Sequence, residues 1–132
     1  MESDQYRIVA GVSLVATGLF TILGITTAEA LYPGYHTGTQ TISALGATGS
    51  TPEATLVFNG TMVVAGILVV VATVGLHRAY GRRPLTGVMG ATGIGGFVGV
   101  GLFPAQMGAP HLVAALIAFA GAGIAALVVA YI

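Results

Sequence analysis

The segment LVFNGTMVVAGILVVVATVGL, residues 56–76, decides the fold class. It carries no charge, and as a helix it is long enough to cross the hydrocarbon core of a bilayer, which takes about 20 apolar residues. Because the bilayer core has no water to satisfy backbone N–H and C=O groups, the segment is predicted to be helical despite its many valines. The sequence therefore predicts a transmembrane helix here.

Three further segments have the same character and complete a set of four spans. Residues 8–27, 85–103 and 112–132 are also predicted to cross the membrane. The chain of 132 residues is 55% hydrophobic and 6% charged, whereas about a quarter of the residues in a soluble domain are charged. We therefore predict a single all-α domain over residues 1–132, a polytopic transmembrane helix bundle with a long outer loop between its first two helices.

The positions of the arginines predict the orientation. Arg7 precedes the first span, and Arg78, Arg82 and Arg83 lie between the second and third spans, so all four fall on one side. Cytoplasmic loops are enriched in Lys and Arg close to the helix ends. We therefore expect a multi-pass protein of the plasma membrane with both termini in the cytoplasm and with the loop of residues 32–54 facing outward.

The start of the second helix is marked by capping residues. Ser50 or Thr51 can cap its free amides, Pro52 suits its first turn, and Glu53 complements the positive end of its dipole. Ser50 and Glu53 also match a capping box. The preferred role of Glu53 is therefore helix capping and not catalysis.

Five polar residues are candidates for a ligand-binding or polar cluster near the outer helix ends: Glu29, His36, Ser43, Asn59 and His111. An acid at a membrane boundary is costly unless it is solvated or paired, so Glu29 is either functional or exposed to outer water. Asn59 must find partners within the bundle, and a hydrogen bond that pins a helix or the loop is favoured over a ligand contact. Since Ser43 has no base beside it in the sequence, no catalytic residue is assigned.

The ligand types of a metal site are present, but their spacing does not favour one. Glu29 with His36 and His111 has the ligand types of a zinc site with an open position. The spacing does not support it, because Pro33 and Gly34 keep Glu29 and His36 off a common helical face. We therefore predict no metal and no cofactor. The net charge of zero also disfavours nucleic acid as a partner.

Small residues recur every four positions in the last two spans. The series are Gly87, Ala91, Gly95 and Gly99, and then Ala114, Ala118, Ala122, Ala126 and Ala130. Small residues let helix backbones approach closely in lipid, where association depends on van der Waals contact. The third and fourth helices are therefore predicted to pack along these two ridges.

Several segments resemble the prokaryotic membrane-protein family catalogued as domain of unknown function 998. They are ISALG at 42–46, Phe58 and Asn59 with Gly66, and GLFP at 101–104 followed by His111. More remotely, ISALG followed by TPE is similar to the DRAM-like six-span membrane proteins, which implies a link to lipid or membrane homeostasis. Members of the DUF998 family tend to have about six spans, so the resemblance implies either that these four spans are part of a six-span fold or that the chain is a short member. Ala44 departs from the family pattern, which often has an acid after the serine.

Three functions remain open. The leading hypothesis is a non-enzymatic membrane protein whose outer loop folds over the bundle and binds a lipid headgroup or small amphiphile. The second is a membrane-embedded, lipid-modifying hydrolase that uses His36 or His111 as a base with Glu29. The third is a subunit of a membrane complex or a homo-oligomer, since four helices with small-residue faces enclose little alone. Membrane lipids are the expected partners in the first two cases.

Overall fold

The computed structural model describes residues 2–130 and is an all-helical bundle. Four of its helices are long and apolar enough to cross a membrane. They are α1 (Glu2–Ala30), α2 (Pro52–Tyr80), α3 (Arg83–Leu102) and α4 (Ala109–Ala130). The predicted fold class, an all-α transmembrane bundle with four spans, is confirmed. Residues 131 and 132 of the predicted last span lie outside the described residues.

The helices α1 and α2 are antiparallel neighbours, and their contacts place the arginines at one end of the bundle. The guanidinium of Arg7 lies 5.1 Å from the centroid of the Tyr80 ring, and that of Arg78 lies 6.0 Å from the centroid of Tyr6. Arg82 and Arg83 follow at the start of α3. We call this the arginine end. The loop of residues 31–51, called the long loop, lies at the opposite end, the loop end.

The helix α3 crosses α2 where two glycines meet. A Cβ atom on Gly66 would lie 2.6 Å from the carbonyl oxygen of Gly93, and one on Gly93 would lie 2.9 Å from the carbonyl oxygen of Gly66. Real Cβ atoms do not approach a backbone so closely. The two helices therefore touch backbone to backbone at this crossing.

The same helix packs on α4 through two more glycines. A Cβ on Gly96 would lie 2.6 Å from the Cα of Ala118, and a Cβ on Gly99 would lie 2.9 Å from the Cβ of Ala114. Ala114 and Ala118 are both buried. The predicted tight packing of the last two spans is therefore present at these positions.

The predicted ridge on α3 is wrong at Gly87 and Ala91, which are both exposed, and Gly95 contacts α4 only loosely. A Cβ on Gly87 would meet nothing within 4 Å, and one on Gly95 would make only an ordinary contact of 3.5 Å with Ile117. The π-helical stretch Thr92–Val98 separates Gly87 and Ala91 from Gly99. Its i→i+5 hydrogen bonds wind the chain more loosely than an α-helix, so a four-residue repeat does not hold one face through it. On the α4 series, Ala130 lies outside the residues whose side chains are described.

One threonine caps α2 and closes the long loop. The Thr51 hydroxyl accepts a hydrogen bond from the backbone N–H of Ala54 at 3.2 Å and donates one to the carbonyl of Leu31 at 2.8 Å. The predicted capping box of Ser50 and Glu53 is wrong, because Thr51 occupies the cap position. Within residues 2–130, the buried Ser50 hydroxyl has no hydrogen-bond partner.

Candidate functional site

A short 3₁₀ helix within the long loop, Ile42–Gly46, is inserted into the loop end of the bundle. We call it the loop helix. Its Leu45 is fully buried, and among the described residues it is the largest side chain so enclosed. It belongs to the same core cluster as Ala28 of α1, Phe58 of α2 and Ala114 of α4. The loop helix is therefore part of the packed core and not a surface excursion.

Two polar side chains hold the two ends of the loop helix. The Asn59 amide nitrogen donates to the carbonyl of Gly46 at 3.2 Å, and His111 Nε2 lies 3.0 Å from the Ser43 hydroxyl oxygen. A Cβ on Gly46 would collide with the side chains of Asn59 and Phe58, so these would have to shift to admit a larger residue. The loop helix is thus bound to α2 at one end and to α4 at the other.

The histidine in this arrangement has a defined tautomer. His111 Nδ1 lies 2.7 Å from the carbonyl oxygen of Phe103. A carbonyl only accepts hydrogen bonds, so Nδ1 carries the proton, and Nε2 of the neutral ring must accept. The Ser43 hydroxyl is therefore the donor to His111. Because His111 is only 9% exposed, its ring is largely shielded from solvent, whereas Ser43 is half-buried.

Glu29 and His36 lie apart from this pair. The His36 side chain is exposed, and its backbone N–H donates to the Gln40 side chain at 2.9 Å. Glu29 is half-buried beside the long loop. Burial raises the pKa of Tyr35, and the negative charge of Glu29 raises it further. Of the five predicted residues, Ser43 therefore lies in the loop helix and Asn59 and His111 bind that helix, while Glu29 and His36 do not join them.

No metal-binding group of three or more His, Asp or Glu side chains occurs within residues 2–130. Glu29, His36 and His111 are accordingly not arranged as a zinc site.

An apolar groove leads away from Ser43 between α1 and α4. Its part nearest the loop end is a cavity of about 330 Å³, lined by residues that include Ile25, Ser43, Phe58 and Phe119. A second cavity of about 390 Å³ extends toward the arginine end, where Leu14, Val69 and Ala126 line it. Phe97 and Ala122 line both cavities, so the two lie next to each other. We call them together the α1–α4 groove.

A family model described as "Protein of unknown function (DUF998)" matches residues 8–131. The chain belongs to the DUF998 family. The match covers essentially all of the four spans and the long loop, and it confirms the resemblance seen in the sequence. Comparison with curated proteins and with solved structures finds no match. The remote similarity to DRAM-like proteins stays a prediction.

Most of the residues that resemble the DUF998 family meet at one place in the structure, and Gly66, at the crossing of α2 with α3, is the exception. ISALG forms the loop helix, Asn59 binds the last residue of that helix, and His111 binds its Ser43. Phe58 packs in the same core cluster as Leu45. The candidate site of this DUF998 protein is therefore the loop helix with the polar groups that hold it, at the mouth of the α1–α4 groove.

Proposed function

We propose that this DUF998 protein binds a membrane amphiphile whose hydrocarbon chain lies in the α1–α4 groove and whose headgroup lies at Ser43. The observation that carries the proposal is the polarity of the groove. It is apolar along the spans and ends at the loop end on a hydroxyl that is hydrogen-bonded to His111.

The lining of the groove favours a hydrocarbon chain. Every side chain that lines either cavity is uncharged, and the few polar ones are Thr17, Thr21, Ser43 and Thr92. The Thr17 and Thr92 hydroxyls already donate to backbone carbonyls of their own helices. A groove so lined offers water few partners, and the bilayer supplies acyl chains at the same depth.

The distribution of charged residues limits which headgroups can bind at Ser43. Phosphate groups are bound mainly by arginine, lysine and backbone amides. The four arginines of this chain lie at the arginine end, at the opposite end of the spans from Ser43. The proposed ligand is therefore an uncharged amphiphile with a hydroxyl or ester group, such as a monoacyl or diacyl glyceride.

The orientation of the protein in the membrane is part of the same proposal. The arginine end is on the cytoplasmic side, as the enrichment of cations in cytoplasmic loops indicates. Both termini then lie in the cytoplasm of a cell whose plasma membrane holds the protein. The long loop and the mouth of the groove face outward.

Photo-crosslinking tests the groove with a matched pair of variants. Ala122 lines both cavities, whereas Ala120 is an exposed alanine of the same helix outside both linings. A monoacylglycerol probe with a diazirine on its acyl chain should form adducts on groove residues of the wild type, located by mass spectrometry. We expect Ala122→Phe to lower these adducts about tenfold, equivalent to about 1.4 kcal/mol, and Ala120→Phe to leave them unchanged.

Equal labelling of the two variants, or adducts spread evenly over the lipid-facing surface, would refute the groove as a binding site. If a second copy of the chain fills the groove instead, Ala122→Phe will change the oligomeric state in native mass spectrometry, and the probe will not label groove residues.

A further inference from the structure

We infer that Ser43 and His111 form a nucleophile and base pair for acyl transfer from an ester-bearing amphiphile. The inference rests on the proposed function only for the placement of the acyl chain. It gives a chemical role to a serine that has no neighbouring base in the sequence.

The geometry is that of an activated hydroxyl. The distance of 3.0 Å between Ser43 Oγ and His111 Nε2 lies within hydrogen-bond reach of a nucleophile and its base. The base is oriented in turn by a third group, the Phe103 carbonyl, at 2.7 Å from Nδ1. In Ser-His-Asp triads a carboxylate holds the ring in the same tautomer. Here a backbone carbonyl does so, which leaves Nε2 free to take the serine proton.

Of the two residues, only Ser43 can be reached from the groove. Ser43 lines the cavity of about 330 Å³, whereas His111 does not line either cavity and is buried. Ser43 thus faces the groove, and His111 lies on the buried side of Ser43. An ester carbonyl at the end of an acyl chain in the groove would meet Ser43 first.

The reaction needs an ester as the acyl donor and either water or a second alcohol as the acyl acceptor. Ser43 Oγ attacks the carbonyl carbon of the ester, and its proton passes to His111 Nε2. The bond between that carbon and the alcohol oxygen breaks, and His111 returns the proton to the departing alcohol. Water or a second alcohol then attacks the acyl-Ser43 ester, again with His111 as base. The acyl group leaves as a free acid or a new ester, and Ser43 recovers its proton.

Fluorophosphonate labelling tests the nucleophile directly. These reagents phosphonylate activated serines, so a short-chain fluorophosphonate should modify Ser43 of the folded wild-type protein, located by peptide mass spectrometry. We expect His111→Gln to slow the labelling by about a hundredfold or more, the usual contribution of a general base.

A serine elsewhere in the long loop provides the control. The Ser50 hydroxyl is buried and has no hydrogen-bond partner within the described residues, so it lacks a base. Ser50→Ala should leave the labelling of Ser43 unchanged. Ser43→Ala should leave the protein without a fluorophosphonate adduct. Because Leu45 and Asn59 also anchor the loop helix, Ser43→Ala should still elute as folded protein in size-exclusion chromatography.

Each outcome decides the inference. The pair is not catalytic if folded wild-type protein gains no adduct at Ser43, or if a folded His111→Gln variant is labelled at the wild-type rate. Should His111→Gln fail to fold, equal labelling rates of Ser43 in folded and in denatured wild-type protein refute activation by His111. If Ser43 is labelled but no lipid adducts form in the groove, the proposed amphiphile site is wrong and the nucleophile and base pair remains supported. If lipid adducts form in the groove but Ser43 is not labelled, the pair alone is wrong.

Discussion

Replacing Leu45 with alanine is expected to lower the free energy of unfolding by about 2–5 kcal/mol, the range for truncating a large buried aliphatic side chain. Leu45 is fully buried among α1, α2 and α4 although it comes from a loop. When the loop helix detaches, its side chains move toward water and not into lipid. The transfer cost of an exposed leucine therefore applies here, as it would in a soluble protein.

The control for this variant is Ile42→Ala in the same loop helix. Ile42 is 50% exposed, so its truncation should change the stability by less than half as much as Leu45→Ala. Hydrogen exchange adds a local measurement. The amide of Ala47, which donates to the carbonyl of Ala44 at 3.2 Å, should lose protection in Leu45→Ala and keep it in Ile42→Ala. Equal unfolding free energies for the two variants would show that the loop helix is not part of the core.

A valine at Gly66 is the second large change, with an expected loss of about 3 kcal/mol or more, at the upper end of the range for overpacking. The Cβ would lie 2.6 Å from the Gly93 carbonyl oxygen and 2.8 Å from the Val98 backbone nitrogen. Neither atom is at the end of a flexible side chain, so whole helices must separate. In lipid, helix association depends on this close contact, and its loss is not offset by hydrophobic burial elsewhere.

Gly60 provides the matched control on the same helix. A Cβ there would meet nothing within 4 Å, and valine is a better helix former than glycine. Gly60→Val should therefore be neutral or slightly stabilising. Denaturant titrations of the two variants in detergent micelles, followed by circular dichroism, measure the difference. A Gly66→Val protein as stable as Gly60→Val would contradict the backbone contact of α2 with α3.

The membrane-spanning architecture could be predicted because it depends on composition. An uncharged run such as residues 56–76 has few alternatives to a helix in a bilayer. The arginines mark one end of the bundle whichever helices pack against one another. Local geometry was harder to predict. The ridge through Gly87 and Gly95 assumed an unbroken α-helical repeat, which the π-helical stretch Thr92–Val98 interrupts.

The candidate site was only partly accessible to sequence reasoning. Polarity in an apolar chain pointed to Ser43, Asn59 and His111, but it pointed equally to Glu29 and His36. The partnership of Ser43 with His111 joins residues 68 positions apart, so no local pattern contains it. The one sequence signal was that both residues lie in segments that resemble the DUF998 family. Tertiary packing, through the burial of Leu45, then places the serine against the histidine.

In this structure His111 accepts a hydrogen bond from Ser43, while the Phe103 carbonyl fixes its tautomer. Nitrogen-15 NMR of histidine-labelled protein in nanodiscs measures this directly, with the His111 signals assigned by their loss in His111→Gln. We predict a neutral ring with the proton on Nδ1 and a hydrogen-bonded Nε2 whose chemical shift moves in Ser43→Ala. A ring protonated on Nε2, or an Nε2 shift that Ser43→Ala leaves unchanged, would contradict the account.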